Sequence, residues 1–162
     1  MTHPSEKGAG GGNGPRSLSE RDAAAIDVRM PSDVRLIEHV IGLVRQQCQA
    51  HDCAVRHCSL NIPVALAEAL SNAILRGNRE DPRKYVTVRS RVAPDRVVLE
   101  VADEGAGFDL ERSVSDPTRP ENLLREDGRG LYLITRLMDR VERFTADGNV
   151  VRMTLNRNPR AP

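Results

Sequence analysis

Apolar residues at Ile37, Val40, Ile41, Val44 and Cys48 recur every three or four positions, the spacing of one face of an α-helix. Ahead of them residues 25–30 alternate as a short strand that ends at Pro31, and Ser32 or Asp33 can cap the helix that follows. A second helix is expected to start near Pro63, where a missing N–H costs nothing in a first turn, and to end at Gly77-Asn78 as a left-handed cap. Its core stripe reads Val64, Ala67, Leu70 and Ile74. Residues 85–92 and 96–102 alternate as two strands around Pro94-Asp95. Leu131, Ile134, Leu137 and Met138 mark a third helix, and residues 141–146 and 149–155 form a hairpin across Asp147-Gly148. Helices separate groups of strands instead of alternating with single strands, which predicts an α+β, two-layer α/β sandwich.

Composition narrows the picture. Residues 1–24 hold the run Gly8-Ala9-Gly10-Gly11-Gly12-Asn13-Gly14-Pro15 and almost no large apolar side chain, so they are expected to be a disordered Gly-rich tail, with one domain over 25–162. No tryptophan is present, so the core must be aliphatic. A formal net charge of +1 provides no bulk field for nucleic acid or an anionic membrane. No stretch reads as a membrane span, and the polar amino terminus lacks the order of a signal peptide, so a cytoplasmic location is expected. All three cysteines fall between Cys48 and Cys58, together with His51 and His57. Their spacing lacks the paired units of common zinc sites, and Cys48 shares the apolar face of its helix. An ordinary loop between helices is favoured there over a metal or redox site.

Three separated elements carry candidate chemistry. Glu68, Asn72 and Arg76 lie at i, i+4 and i+8, with Ala65, Ala69 and Ala73 beside them to let a ligand approach. An amide oxygen suits Mg²⁺, and a carboxylate one turn away can accept a proton. On the helix alone, a solvated Glu-Asn-Arg stripe with a helical charge pair is the favoured reading. Asp103 closes an apolar strand, where its carboxylate can accept from an exocyclic amine such as that of adenine. Gly105 and Gly107 permit a sharp turn beside it, and Phe108 can cover that turn. Gly128, Arg129 and Gly130 precede the third helix, whose first N–H groups attract phosphate. The Gly-Lys-Ser/Thr of a Walker A loop is absent, and so is the parallel βαβ unit of a Rossmann fingerprint.

Together, Glu68-x3-Asn72, Asp103-x-Gly105-x-Gly107-Phe108 and Gly128-Arg129-Gly130-Leu131 resemble the N box and the two glycine boxes of the Bergerat ATP-binding fold, shared by the gyrase, histidine kinase and MutL superfamily. Within it the chain looks most like the stand-alone anti-sigma factor serine kinases, through residues 68–74, 120–124 and 128–139. The resemblance spans roughly residues 25–156. It implies a mixed, mostly antiparallel sheet with helices on one face, and a serine/threonine kinase that uses ATP and Mg²⁺. It further implies an anti-anti-sigma protein as phosphorylation substrate and a sigma factor as sequestered partner, and it allows a homodimer.

By this resemblance Glu68 would be the base and Asn72 the metal ligand, and Asp103 would read adenine. Gly105, Gly107 and Phe108 would shape the pocket, Arg76 would contribute a cation, and Gly128, Arg129, Gly130 and Leu131 would meet the phosphates. Residues 109–127 would form a lid over ATP. Two departures stand out. Many relatives carry His where this chain has Arg76, and relatives often place Thr where it has Asn149 and Val150, so one secondary nucleotide contact is not carried over. A non-catalytic, ATP-gated partner-switching module is the alternative. The catalytic half of a histidine kinase fits poorly, because none of His3, His39, His51 and His57 lies on a dimerisation hairpin.

Overall fold

The structure, a computed structural model, describes residues 24–106, 126–146 and 148–158. The Gly-rich tail up to residue 23, Gly107, Phe108 and the lid segment through residue 125 lie outside the described residues.

Among the described residues, five strands form one sheet in the order β1-β2-β3-β5-β4: β1 (Ala24–Pro31), β2 (Tyr85–Val92), β3 (Arg96–Asp103), β4 (Arg140–Thr145) and β5 (Asn149–Asn156). The expected sandwich is therefore present, and all four pairings are antiparallel, so the sheet has no mixed part among the described residues. Pro31 is tolerated because, among the described residues, β1 is an edge strand paired only to β2. Asp33 supplies the expected cap, its side chain accepting from Arg35 N at 2.9 Å at the start of a short 3-10 turn, Val34–Leu36.

Alternation sorts the two faces of the sheet. Val86, Val88, Val97, Leu99, Val101, Met153 and Leu155 are buried beneath the helices. On the opposite face register aligns Asp27, Arg89, Glu100, Arg152 and Glu142 as one row of alternating charge across all five strands. Ion pairs at 3.2, 3.8 and 2.7 Å link the first four. Such exposed pairs contribute little stability, but the row makes this face a poor surface for packing a second helix layer.

The covered face holds α1 (Ile37–Ala50), α2 (Ile62–Asn72) and α3 (Glu126–Leu137). The apolar stripe of α1 is buried as expected. α2 differs from expectation. It packs between α1 and α3, so Ile62, Ala65, Leu66, Ala69, Leu70, Ala73 and Ile74 are all buried, while Val64 and Ala67 are only half-buried. Burial on two sides widens the stripe beyond the single line that periodicity alone predicts.

Pro63 sits in the first turn of α2, as expected, but the chain is already helical ahead of it. A π turn, His57–Asn61, precedes α2, and a second, Ala73–Gly77, follows it. The N–H of Ile62 bonds to the carbonyl of His57, and this wider turn accommodates a proline that has no N–H and whose ring would crowd a regular helix. The resulting run, His57–Gly77, has 21 residues and contains an 18-residue window of mean hydropathy 1.4, long and apolar enough by those measures to cross a membrane. Half of it is buried in the domain, with Ile62, Leu66, Leu70 and Ile74 fully enclosed, so it serves here as the central core helix.

The cysteines have a structural explanation. At the end of α1, Asp52 adopts φ 55°, Asp52 N donates to Gln49 O and Cys53 N donates to Cys48 O at 3.0 Å. This is a Schellman cap, whose usual apolar contact joins the two residues occupied here by Cys48 and Cys53. Cys58 packs in the same place, its Sγ donating to Cys53 O at 3.6 Å. All three thiols are free and buried, and no group suited to hold a metal ion occurs among the described residues. Burial, reinforced by the neighbouring thiols, pushes Cys48 up to about 12, the opposite of an activated thiolate.

Candidate functional site

The carboxyl end of α2 meets the ends of β3 and β5 and the first turns of α3. Asn78, fully buried, ties this corner together. Its Nδ2 donates to Ser32 Oγ and Tyr85 O, both at 2.9 Å, and its Oδ1 accepts from Glu104 N at 2.8 Å. Asn78 therefore stays right-handed (φ −84°), and the left-handed residues are Arg79 and Glu80. The expected Gly77-Asn78 cap is displaced because the Asn78 side chain is engaged in holding the residue after Asp103.

Asp103 faces inward from the last position of β3 and is only 6% exposed. Its Oδ1 accepts from Gly105 N at 2.8 Å and from Asn149 Nδ2 at 2.9 Å. Glycines line its surroundings. A Cβ on Gly77 would lie 2.4 Å from the Asp103 carboxyl carbon, one on Gly105 would lie 2.0 Å from Gly77 O, and one on Gly148 would lie 2.2 Å from Asp103 O. Gly148 also has φ +115°, which side-chain-bearing residues rarely adopt.

Glu68 and Asn72 are half-buried, one turn apart on α2. Gly130 of α3 packs directly on them, and a Cβ there would stand 2.4 Å from Glu68 Oε2 and 3.5 Å from Asn72 Nδ2. Gly128 to Gly130 lie inside the first turns of α3 and not ahead of it, because the helix begins at Glu126. The glycine motif thus lies within the described helix, and Gly130 is used for close helix–helix approach.

Asn72 and Asp103 share a cavity of about 10 Å³ with Ala69, Ala73, Val101, Leu131, Ile134, Arg143 and Val151. This is room for one water at most. Arg76 is exposed in the second π turn and Arg129 is exposed on α3, and neither lines that cavity. Ala65 is enclosed in the core, so of the three alanines only Ala69 and Ala73 border the ligand side.

Arg143 and the contact made by Asn149 belong to no motif in the sequence. Register sets Arg143 opposite Val151 and Asn149 opposite Asp103, both on the inward face. Burial lowers the Arg143 guanidinium to about 10, against the pull of the Asp103 charge. The alternation Val141, Arg143, Thr145 was the available signal: an arginine in phase with a core valine.

A two-layer sandwich with an asparagine and a carboxylate on the central helix, a buried strand-end aspartate and glycines between them is the architecture of the histidine kinase-like ATPases. Residues 30–155 match the family described as Histidine kinase-like ATPase domain, and the chain belongs to that family. Among curated proteins it is similar to the serine-protein kinase RsbW of Bacillus subtilis (strain 168), 36% identical over 99 residues, covering 58% of this chain and 62% of that protein. It is likewise similar to the serine-protein kinase RsbW of Bacillus licheniformis, 38% identical over 104 residues, covering 60% and 65%. The matches therefore span less than two thirds of the length of these relatives.

Solved structures agree on the fold. The RsbU and RsbW domains of a Mycobacterium tuberculosis protein superimpose with TM-score 0.56 at 15% identity, over 82% of this chain and 32% of that one. The nucleotide-free catalytic domain of the histidine kinase ThkA gives 0.50 at 15% identity, over 83% and 99%.

Proposed function

We propose that this domain binds Mg-ATP and transfers the γ-phosphoryl group to a serine of an anti-anti-sigma protein, sequestering a sigma factor when that protein is phosphorylated. The observation that carries this is the seating of Gly130 against Glu68 and Asn72, beside the Asp103 cavity. Residues far apart in the chain converge there with the groups a nucleotide needs. The similarity to serine-protein kinases over the matched region supports the choice of serine as acceptor.

The donor set fits the ligands. Asn72 offers a hard amide oxygen of the kind that shares Mg²⁺ with water and phosphate, and it borders a small cavity with Asp103 and the short side chains of Ala69 and Ala73. Bound Mg²⁺ would neutralise phosphate charge. Asp103 would accept a hydrogen bond from the adenine amine, Glu68 would take the proton of the incoming serine hydroxyl, and the amino end of α3 would face the phosphates. Phosphoryl transfer asks a protein mainly for positioning and charge stabilisation, and these residues offer both. In this reading the protein is a cytoplasmic regulator that acts through protein partners and not through nucleic acid or membrane, and self-association is a property of the same system.

Incubation with labelled ATP and candidate partners, followed by identification of the phosphorylated residue, tests the proposal. Phosphoserine on a partner is the expected result. Nucleotide-dependent binding of a partner without transfer would instead support the non-catalytic switching module.

A further inference from the structure

Asn149 lies directly across from Asp103 at the start of β5. Its single amide nitrogen donates twice, to Asp103 Oδ1 at 2.9 Å and to Gly105 O at 2.8 Å. Gly105 N donates back to Asp103 Oδ1 at 2.8 Å. One planar amide therefore closes a ring through the carboxylate and both peptide groups of Gly105. Oδ1 is committed to two protein donors, and the carboxylate plane is held in one rotation about its Cβ–Cγ bond. The remaining oxygen, Oδ2, lies close against Gly77, where a Cβ would come within 2.5 Å of it, and the Asp103 side chain borders the cavity shared with Asn72.

We infer that Asn149 is a positioning residue that aims Asp103 Oδ2 at the amine of a purine base, and so creates the preference of this site for an amino over an oxo substituent. The inference rests on the ATP-site reading above. An ionised carboxylate is only an acceptor, so a correctly aimed Oδ2 favours a base that presents N–H and repels one that presents a carbonyl oxygen. Aim requires two donors on one rigid group, which an amide has and a single hydroxyl lacks. Without Asn149 the carboxylate keeps its charge and its bond to Gly105 N but turns more freely, and the amine loses a pre-oriented partner.

The test compares affinities for ATP and ITP, which differ at the purine 6-position, in the full chain and in Asn149→Ala, Asn149→Thr and Asp103→Asn. The wild-type protein should prefer ATP. Asn149→Ala should lose roughly tenfold of that preference, the worth of one hydrogen bond of about 1.4 kcal/mol, while ITP affinity holds or rises slightly as the repulsion relaxes. Asn149→Thr, which retains one donor in a strand-compatible side chain, should lose less and keeps the test valid if the alanine variant fails to fold. A merely structural role would weaken both nucleotides together and leave the ratio unchanged, which overturns the inference. If Asp103→Asn abolishes the preference while both Asn149 variants retain it, the ATP site stands and the role of Asn149 is refuted. Equal affinity for ATP and ITP in the wild-type protein would refute base reading by Asp103 and the inference with it.

Discussion

Replacing Gly130 by alanine separates folding from catalysis at this site. The added Cβ would lie 2.4 Å from Glu68 Oε2, against about 3.4 Å for ordinary contact, so the carboxylate must withdraw by about 1 Å (3.4 − 2.4). The obstructing atom ends a flexible side chain, so withdrawal requires a rotamer change and no backbone shift. Gly130 lies within α3, where alanine is favoured over glycine by about 1 kcal/mol. Stability should therefore change by less than about 1 kcal/mol in either direction, the helix gain offsetting the cost of moving Glu68. Transfer should suffer far more. A base displaced by about 1 Å can lose about 10²-fold in rate, and loss of general-base assistance altogether costs about 10²–10⁴-fold. Thermal melting paired with single-turnover phosphorylation of the partner reads both quantities. Wild-type transfer by a variant of unchanged melting temperature would refute the contact between Gly130 and a working Glu68.

Asp103→Asn should keep the fold, because the amide oxygen can take the place of Oδ1 toward Gly105 N and Asn149 Nδ2. Its NH₂ then meets the adenine amine donor to donor, and affinity for a fluorescent ATP analogue should fall by about 1.5–3 kcal/mol. Glu68→Gln should bind ATP normally and lose about 10²–10⁴ in transfer rate, whereas Asn72→Ala should also weaken Mg-dependent binding; equal behaviour of the two in titrations with and without Mg²⁺ would refute the division of roles. Gly105→Ala, unlike Gly130→Ala, meets a backbone oxygen at 2.0 Å and should cost about 1–3 kcal/mol in urea denaturation. Cys48 stays protonated in the fold up to about 12 but ionises near 9 once unfolded, so the unfolded state binds fewer protons between those values. Stability is then complete below about pH 9 and declines toward pH 12 by up to about 1.4 kcal/mol per pH unit; Cys48→Val should flatten that slope in melting curves.

Elements whose burial follows their own period were legible without coordinates. The stripe of α1, the alternation of β2 and β3 and the inward residues of β5 each bury one face, and a one-face pattern can be read locally. The motif residues Glu68, Asn72, Asp103 and Gly130 were also legible, because each stands in a characteristic local spacing. Tertiary structure decided what those spacings do not encode. Packing of α2 on two sides enclosed Ala65 and widened its stripe, and π turns on either side of α2 carried the helix through Pro63 and left Arg76 outside the cavity. The engagement of Asn78 moved the left-handed turn to Arg79 and Glu80. Strand register brought Arg143 and Asn149 to Asp103 from some forty residues away. A residue's periodicity reports which face it occupies, but the atom it touches depends on register and on helix–helix approach, and both are set by the summed packing of segments distant in the chain.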